Sequence, residues 1–102
     1  MSEHVNIRFP EDRVREFCRR NHICKLALFG SVLREDFRTD SDVDVLVEFE
    51  PGQAVGLLGL ARMERELSAA LGRSVDLNTA GFLSPYYRVA VMREAEVQYV
   101  AP

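Results

Sequence analysis

A chain of 102 residues has room for one domain, and its 47% hydrophobic content suffices for a single core, which excludes a disordered polymer. The formal net charge of -3 argues against general nucleic-acid binding, which needs a basic face to neutralise phosphates. Cys18 and Cys24 have neither C-x-x-C nor metal-ligand spacing and are too few for a disulfide framework, so both are expected as reduced thiols packed against the core. The opening Met1-Ser2-Glu3-His4 carries no signal pattern, and the longest apolar stretch, residues 54–61, is glycine-interrupted and too short for a bilayer. The expectation is a cytoplasmic protein forming one domain over residues 1–102, with no membrane contact.

Residues 10–21 read as a first helix, with Pro10 suited to the opening turn and Val14, Phe17 and Cys18 at helical spacing. Its arginines Arg13, Arg15, Arg19 and Arg20 read as a solvated face. Residues 25–29 form a short apolar run typical of a buried strand, ended by Gly30-Ser31; a brief helix from Val32 would take Ser31 as its cap. Thr39-Asp40-Ser41 is turn-forming. Residues 42–49 then alternate: Val43, Val45, Val47 and Phe49 point one way, and Asp42, Asp44, Leu46 and Glu48 the other. Pro51-Gly52 breaks the strand. Leu57, Leu60, Ala61, Leu67 and Leu71 mark an amphipathic helix stopped by Gly72. Residues 74–78 alternate again, with Val75 and Leu77 opposite Asp76. Ser84-Pro85 opens a last helix to about Glu94, and residues 97–100 close the chain as a strand. The fold class is α+β, a two-layer arrangement in which a small mixed sheet has helices packed on one face. Asp42, Asp44 and Asp76 would project from the uncovered face.

Asp42 and Asp44, two residues apart on a strand, place their carboxylates on one side about 6–7 Å apart along the chain. Unpaired, two such anions raise one another's proton affinity. A hard divalent cation removes that penalty, and Mg²⁺ characteristically takes one or two carboxylates plus substrate phosphate oxygens. Asp76 would complete the cluster if the two strands are neighbours, giving a two-metal phosphoryl-transfer site. Just upstream, Gly30-Ser31 offers backbone N–H groups and a hydroxyl to an anion, and Arg34 can set a guanidinium against the same phosphates.

The segment Gly30-Ser31-Val32-Leu33-Arg34-Glu35-Asp36, followed by Ser41-Asp42-Val43-Asp44-Val45-Leu46-Val47, resembles the motif of the DNA polymerase beta-like nucleotidyltransferase superfamily. Within it, the chain is similar to the minimal nucleotidyltransferases (MNT) encoded beside HEPN-domain toxins. Softer similarities continue through residues 67–76, Leu83-Ser84-Pro85-Tyr86 and residues 93–99. The resemblance implies the polymerase beta-like fold, with Gly30 and Ser31 on the β- and γ-phosphates and Arg34 and Ser41 also at the nucleotide. Asp42 and Asp44 would be metal ligands, and Asp76 a third carboxylate that binds metal and orients or deprotonates the acceptor hydroxyl. It implies ATP as co-substrate with two Mg²⁺ ions, and a hetero-oligomer with a cognate HEPN toxin. The activity implied is AMP transfer to a toxin tyrosine by in-line attack on the α-phosphate. The alternatives are neutralisation by binding alone and transfer to a small molecule or nucleic acid. Because the chain has no residues for a separate acceptor-gripping domain, the acceptor is expected on a partner protein.

Other residues read as structural. His4 and His22 lack ligand spacing, and Glu48 is a peripheral charge on the acidic face. Tyr86, Tyr87 and Tyr99 are expected to pack on the last helix and strand, and the Leu57-Leu58-Gly59-Leu60 stretch is expected in the core before any partner contact.

Overall fold

A computed structural model describes residues 9–34, 38, 40–79 and 84–102, with Tyr87 described by its backbone alone. The elements are α1 (Glu11–Arg20), β1 (Ile23–Phe29), a 3-10 turn (Gly30–Leu33), β2 (Val43–Phe49), α2 (Leu57–Leu71), β3 (Val75–Thr79), α3 (Pro85–Glu94) and β4 (Glu96–Val100). They follow the order that periodicity predicts. His4, Glu35, Asp36, Thr39 and Leu83 lie outside the described residues.

The strands form one mixed sheet in the order β3-β2-β1-β4. The hairpin partners β1 and β2 run antiparallel, β4 runs antiparallel to β1, and β3 runs parallel to β2 across the α2 connection. Alternation sorts the side chains. Leu26 and Leu28 of β1, Val43, Val45 and Val47 of β2, and Val75 and Leu77 of β3 face one core. Val14, Phe17 and Cys18 of α1 and Leu60, Met63 and Leu67 of α2 close it. Each such aliphatic or aromatic side chain contributes about 1.5–3 kcal/mol on full burial, so this layer carries most of the stability. Gly72, at φ 69°, takes the left-handed position that ends α2, as the sequence indicates.

The last helix departs from the one-face arrangement. It packs on the opposite face of the sheet, where Val91 joins Phe29 and Leu46 in a small second cluster with Ala95 at its margin. Leu46 and Phe29 are apolar residues on the acidic face, and α3 is what keeps water from them. Two further expectations are corrected. Leu57 and Leu58 are 74% and 87% exposed, because the core stripe of α2 begins only at Leu60. Tyr86 is 95% exposed, since it stands on the side of α3 away from Val91; Tyr99, by contrast, packs at the edge of the main core. Among the described residues no helix is long and apolar enough to cross a membrane.

Candidate nucleotide and metal site

Because Val43, Val45, Val75 and Leu77 are drawn into the core, the residues between them must face the other way. The parallel register places Asp44 directly beside Asp76, while Asp42 stands exposed one residue before β2. On the other side, Phe29 is the register partner of Asp44, so the chain leaving β1 turns across the Asp44 side chain. Gly30 makes this turn at φ 74°, and a Cβ built there would collide with Oδ2 of the Asp44 carboxylate. Any other residue would be strained by its backbone and would evict the carboxylate.

The electrostatics follow from this crowding. The Asp44 carboxyl is pushed above its ordinary value of 3.8, first by burial and then by the neighbouring charges of Asp76 and Asp42. The Arg34 guanidinium and a hydrogen bond from the Ser31 backbone N–H partly offset that rise. The site holds more negative charge than its own donors neutralise, which is the condition for recruiting a cation. Among the described residues, no three His, Cys, Asp or Glu side chains are already gathered as a complete metal cage. The donor chemistry nonetheless fits Mg²⁺, an all-oxygen set in which substrate phosphates supply the rest of the coordination.

The remaining predicted residues divide. Ser31 does not cap a helix: it sits second in a four-residue 3-10 turn whose N-cap position is Phe29, and that turn is too short to bring a helix dipole. Its hydroxyl lies 3.5 Å from the Asp42 carbonyl, so the turn is tied to the strand entrance instead. Arg34 is exposed and near enough to Asp44 to act on its charge. Ser41 works within its own turn, its hydroxyl accepting the Arg38 N–H at 3.1 Å and its N–H donating to the Arg38 carbonyl at 3.1 Å. His22 sits at φ 56° in the turn before β1, 3.3 Å from the Glu50 carboxylate, and Glu48 lies 3.7 Å from Lys25; both are peripheral, as expected.

Two features escape sequence reasoning. Arg73 donates to the carbonyls of Arg38 and Ser41, tethering the loop before Asp42 to the start of β3. A cavity of about 330 Å³ beside Gly30 is lined by Leu33, Arg34, Glu94 and Glu96, so the end of α3 and the start of β4 border the site. An arginine after a helix cap and glutamates either side of a helix-to-strand junction carry no local signal of either role.

The known nucleotidyltransferase domain model matches residues 11–97, from the first turn of α1 into β4. This chain belongs to the nucleotidyltransferase domain family. The nucleotidyltransferase is 31% identical over 91 residues to a Methanocaldococcus jannaschii protein named provisionally as a protein adenylyltransferase, covering 89% of this chain and 96% of that one. It is 36% identical over 80 residues to the protein adenylyltransferase MntA of Thermococcus cleftensis, covering 78% of this chain and 79% of its relative. Its fold matches a chain in the structure of a tri-AMPylated Shewanella oneidensis HEPN toxin in complex with MNT antitoxin. That match has a TM-score of 0.67 at 20% identity, covers 89% of this chain and 70% of the other, and speaks to the fold alone.

Proposed function

We propose that this nucleotidyltransferase is an antitoxin that transfers AMP from ATP to a tyrosine hydroxyl of a cognate HEPN-domain toxin. The observation that carries the reading is the apposition of Asp44 and Asp76 across β2 and β3, with Asp42 two residues upstream and Gly30 turned over Asp44. The adenylyltransferase names of the relatives support AMP as the transferred group, and the AMPylated HEPN toxin in the complex of similar fold supports the acceptor class.

In this reading Asp42, Asp44 and Asp76 would hold divalent metal together with the triphosphate. The metal, when bound, neutralises charge on the attacking and leaving oxygens. Asp76 takes the proton of the acceptor hydroxyl as its oxygen attacks the α-phosphorus. The bond from that phosphorus to the β-phosphate's bridging oxygen breaks, and pyrophosphate leaves. Gly30 lets the phosphates approach the backbone without a side chain in the way, and Arg34 supplies a guanidinium to the same anion. Ser41 shapes the loop that delivers Asp42.

The test is intact-mass analysis of the HEPN protein after mixing with this chain, ATP and Mg²⁺. A gain of about 329 Da per AMP group, expected from adenylyl transfer and absent with Asp42→Asn, supports the proposal. A stable, silenced complex with no mass gain overturns it in favour of neutralisation by binding alone.

A further inference from the structure

β3 is five residues long and, among the described residues, lies at the edge of the sheet with β2 as its one strand neighbour. Alternate amides of such a strand point away from the sheet and need another partner. Two side chains of α2 provide it. Ser68 Oγ accepts the Val75 N–H at 3.1 Å, and Glu64 Oε2 accepts the Leu77 N–H at 2.9 Å. Ser68 Oγ also donates to the Glu64 carbonyl at 2.7 Å, which commits its hydrogen and leaves a lone pair toward the strand.

The two spacings match. Residues four apart on a helix rise about 6 Å, and residues two apart on a strand advance about 6.6 Å. Glu64 and Ser68 therefore present acceptors at the pitch of a neighbouring strand, and α2 serves β3 as a substitute edge. Asp76 lies between the two amides held this way. A slip of one residue in β3 would send Asp76 toward the core and bring Val75 and Leu77 to the acidic face.

We propose that Glu64 and Ser68 are positioning residues that set the register of β3 and thereby hold Asp76 opposite Asp44. Their effect on catalysis rests on the metal-dependent reading above; their effect on register does not. The carboxylate of Glu64 makes the stronger rung, since a charged acceptor strengthens the bond from the amide.

The experiment compares wild type, Glu64→Ala, Ser68→Ala and Glu64→Gln by amide exchange in NMR and by Mn²⁺ binding in EPR, all well below each variant's Tm. Glu64→Ala is expected to lose protection at Leu77 selectively and to weaken Mn²⁺ binding by about tenfold or more, the cost typical of disturbing the support of a metal ligand. Glu64→Gln, which keeps an acceptor, is expected to restore both. Ser68→Ala provides a milder variant should Glu64→Ala fail to fold, with the loss of protection falling on Val75. Unchanged Leu77 protection in Glu64→Ala overturns the proposal, as does unchanged Mn²⁺ affinity when Asp76→Asn abolishes it. If wild type binds no Mn²⁺, the metal-dependent function fails instead, and the amide protection alone decides the register claim.

Discussion

Gly30 and Asp44 are one problem in two residues. The chain must cross the Asp44 carboxylate within van der Waals distance, and Gly30 does so at a φ of 74° that side-chain-bearing residues rarely adopt. Gly30→Ala is therefore expected to cost about 1–3 kcal/mol through backbone strain and displacement of the carboxylate. It should also abolish the thermal stabilisation by Mg-ATP, both read in one melting experiment. Asp44 gives the opposite sign. Its folded-state pKa is raised, so its ionised form is less favourable in the folded protein than in the unfolded chain. That penalty is absent below its ordinary value of 3.8 and grows as pH rises through the raised folded value. Asp44→Asn should thus leave the metal-free Tm unchanged or raise it. The same variant should lose its response to Mg-ATP. A drop of more than about 5 °C would show that Asp44 contributes to folding and contradict its placement as a functional residue held at a cost.

At the scale of elements, α3 is the loosely held one. Among the described residues only Val91 of this helix is fully buried, against Phe29 and Leu46, with Ala95 beside it just past its end. Val91→Ala is expected to release α3 locally, so that its amides exchange at least tenfold faster while those of β1 and β2 keep nearly their original protection. Equal acceleration throughout the sheet would mean that α3 unfolds only with the whole. The same thin anchoring explains why its placement was not legible. Val14, Phe17 and Cys18 of α1 and the valines of β2 repeat at the period of their element, and Gly72 stops α2, so those elements can be read from local pattern alone. Residues 85–94 show no clean apolar stripe, and Tyr86 at their start looks like a core residue while standing in solvent. The acids were legible because alternation fixes their side of the sheet. Their neighbour relation was not, because it depends on which strand α2 delivers next to β2. Glu64, Ser68 and Arg73 were invisible for the same reason: each acts on a segment distant in sequence. Ser31 has the residue type of a helix cap, yet the 3-10 turn begins at Gly30 and Phe29 holds its N-cap position.

Across the whole molecule, Cys18 reports whether the main core opens. Its side chain is fully buried where α1 meets the sheet, and burial pushes its thiol from 9.0 up to about 12. Near pH 8 it holds no appreciable thiolate, the species that alkylating reagents and disulfides attack. Cys24 is half-buried on β1, with its thiol 3.6 Å from the Phe49 carbonyl, and local fraying of the strand start can expose it. Ellman's reagent should therefore count one thiol in the native protein and two in denaturant, with the second modified at the rate of global opening. The raised pKa also has a thermodynamic consequence of definite sign. Above the unfolded value of 9.0 the unfolded chain loses a proton that the folded chain keeps, so the stability contributed by the neutral thiol drains away as pH rises toward about 12. The slope from this one group approaches about 1.4 kcal/mol per pH unit. The single lysine and the three tyrosines are common to both proteins, so the comparison that isolates the effect is wild type against Cys18→Ala, followed by urea unfolding across that range. Wild type should lose stability more steeply than the variant, even though the variant starts lower because of the volume it has lost. Parallel slopes would mean that Cys18 ionises as readily in the folded core as in water, and that α1 does not seal the sheet.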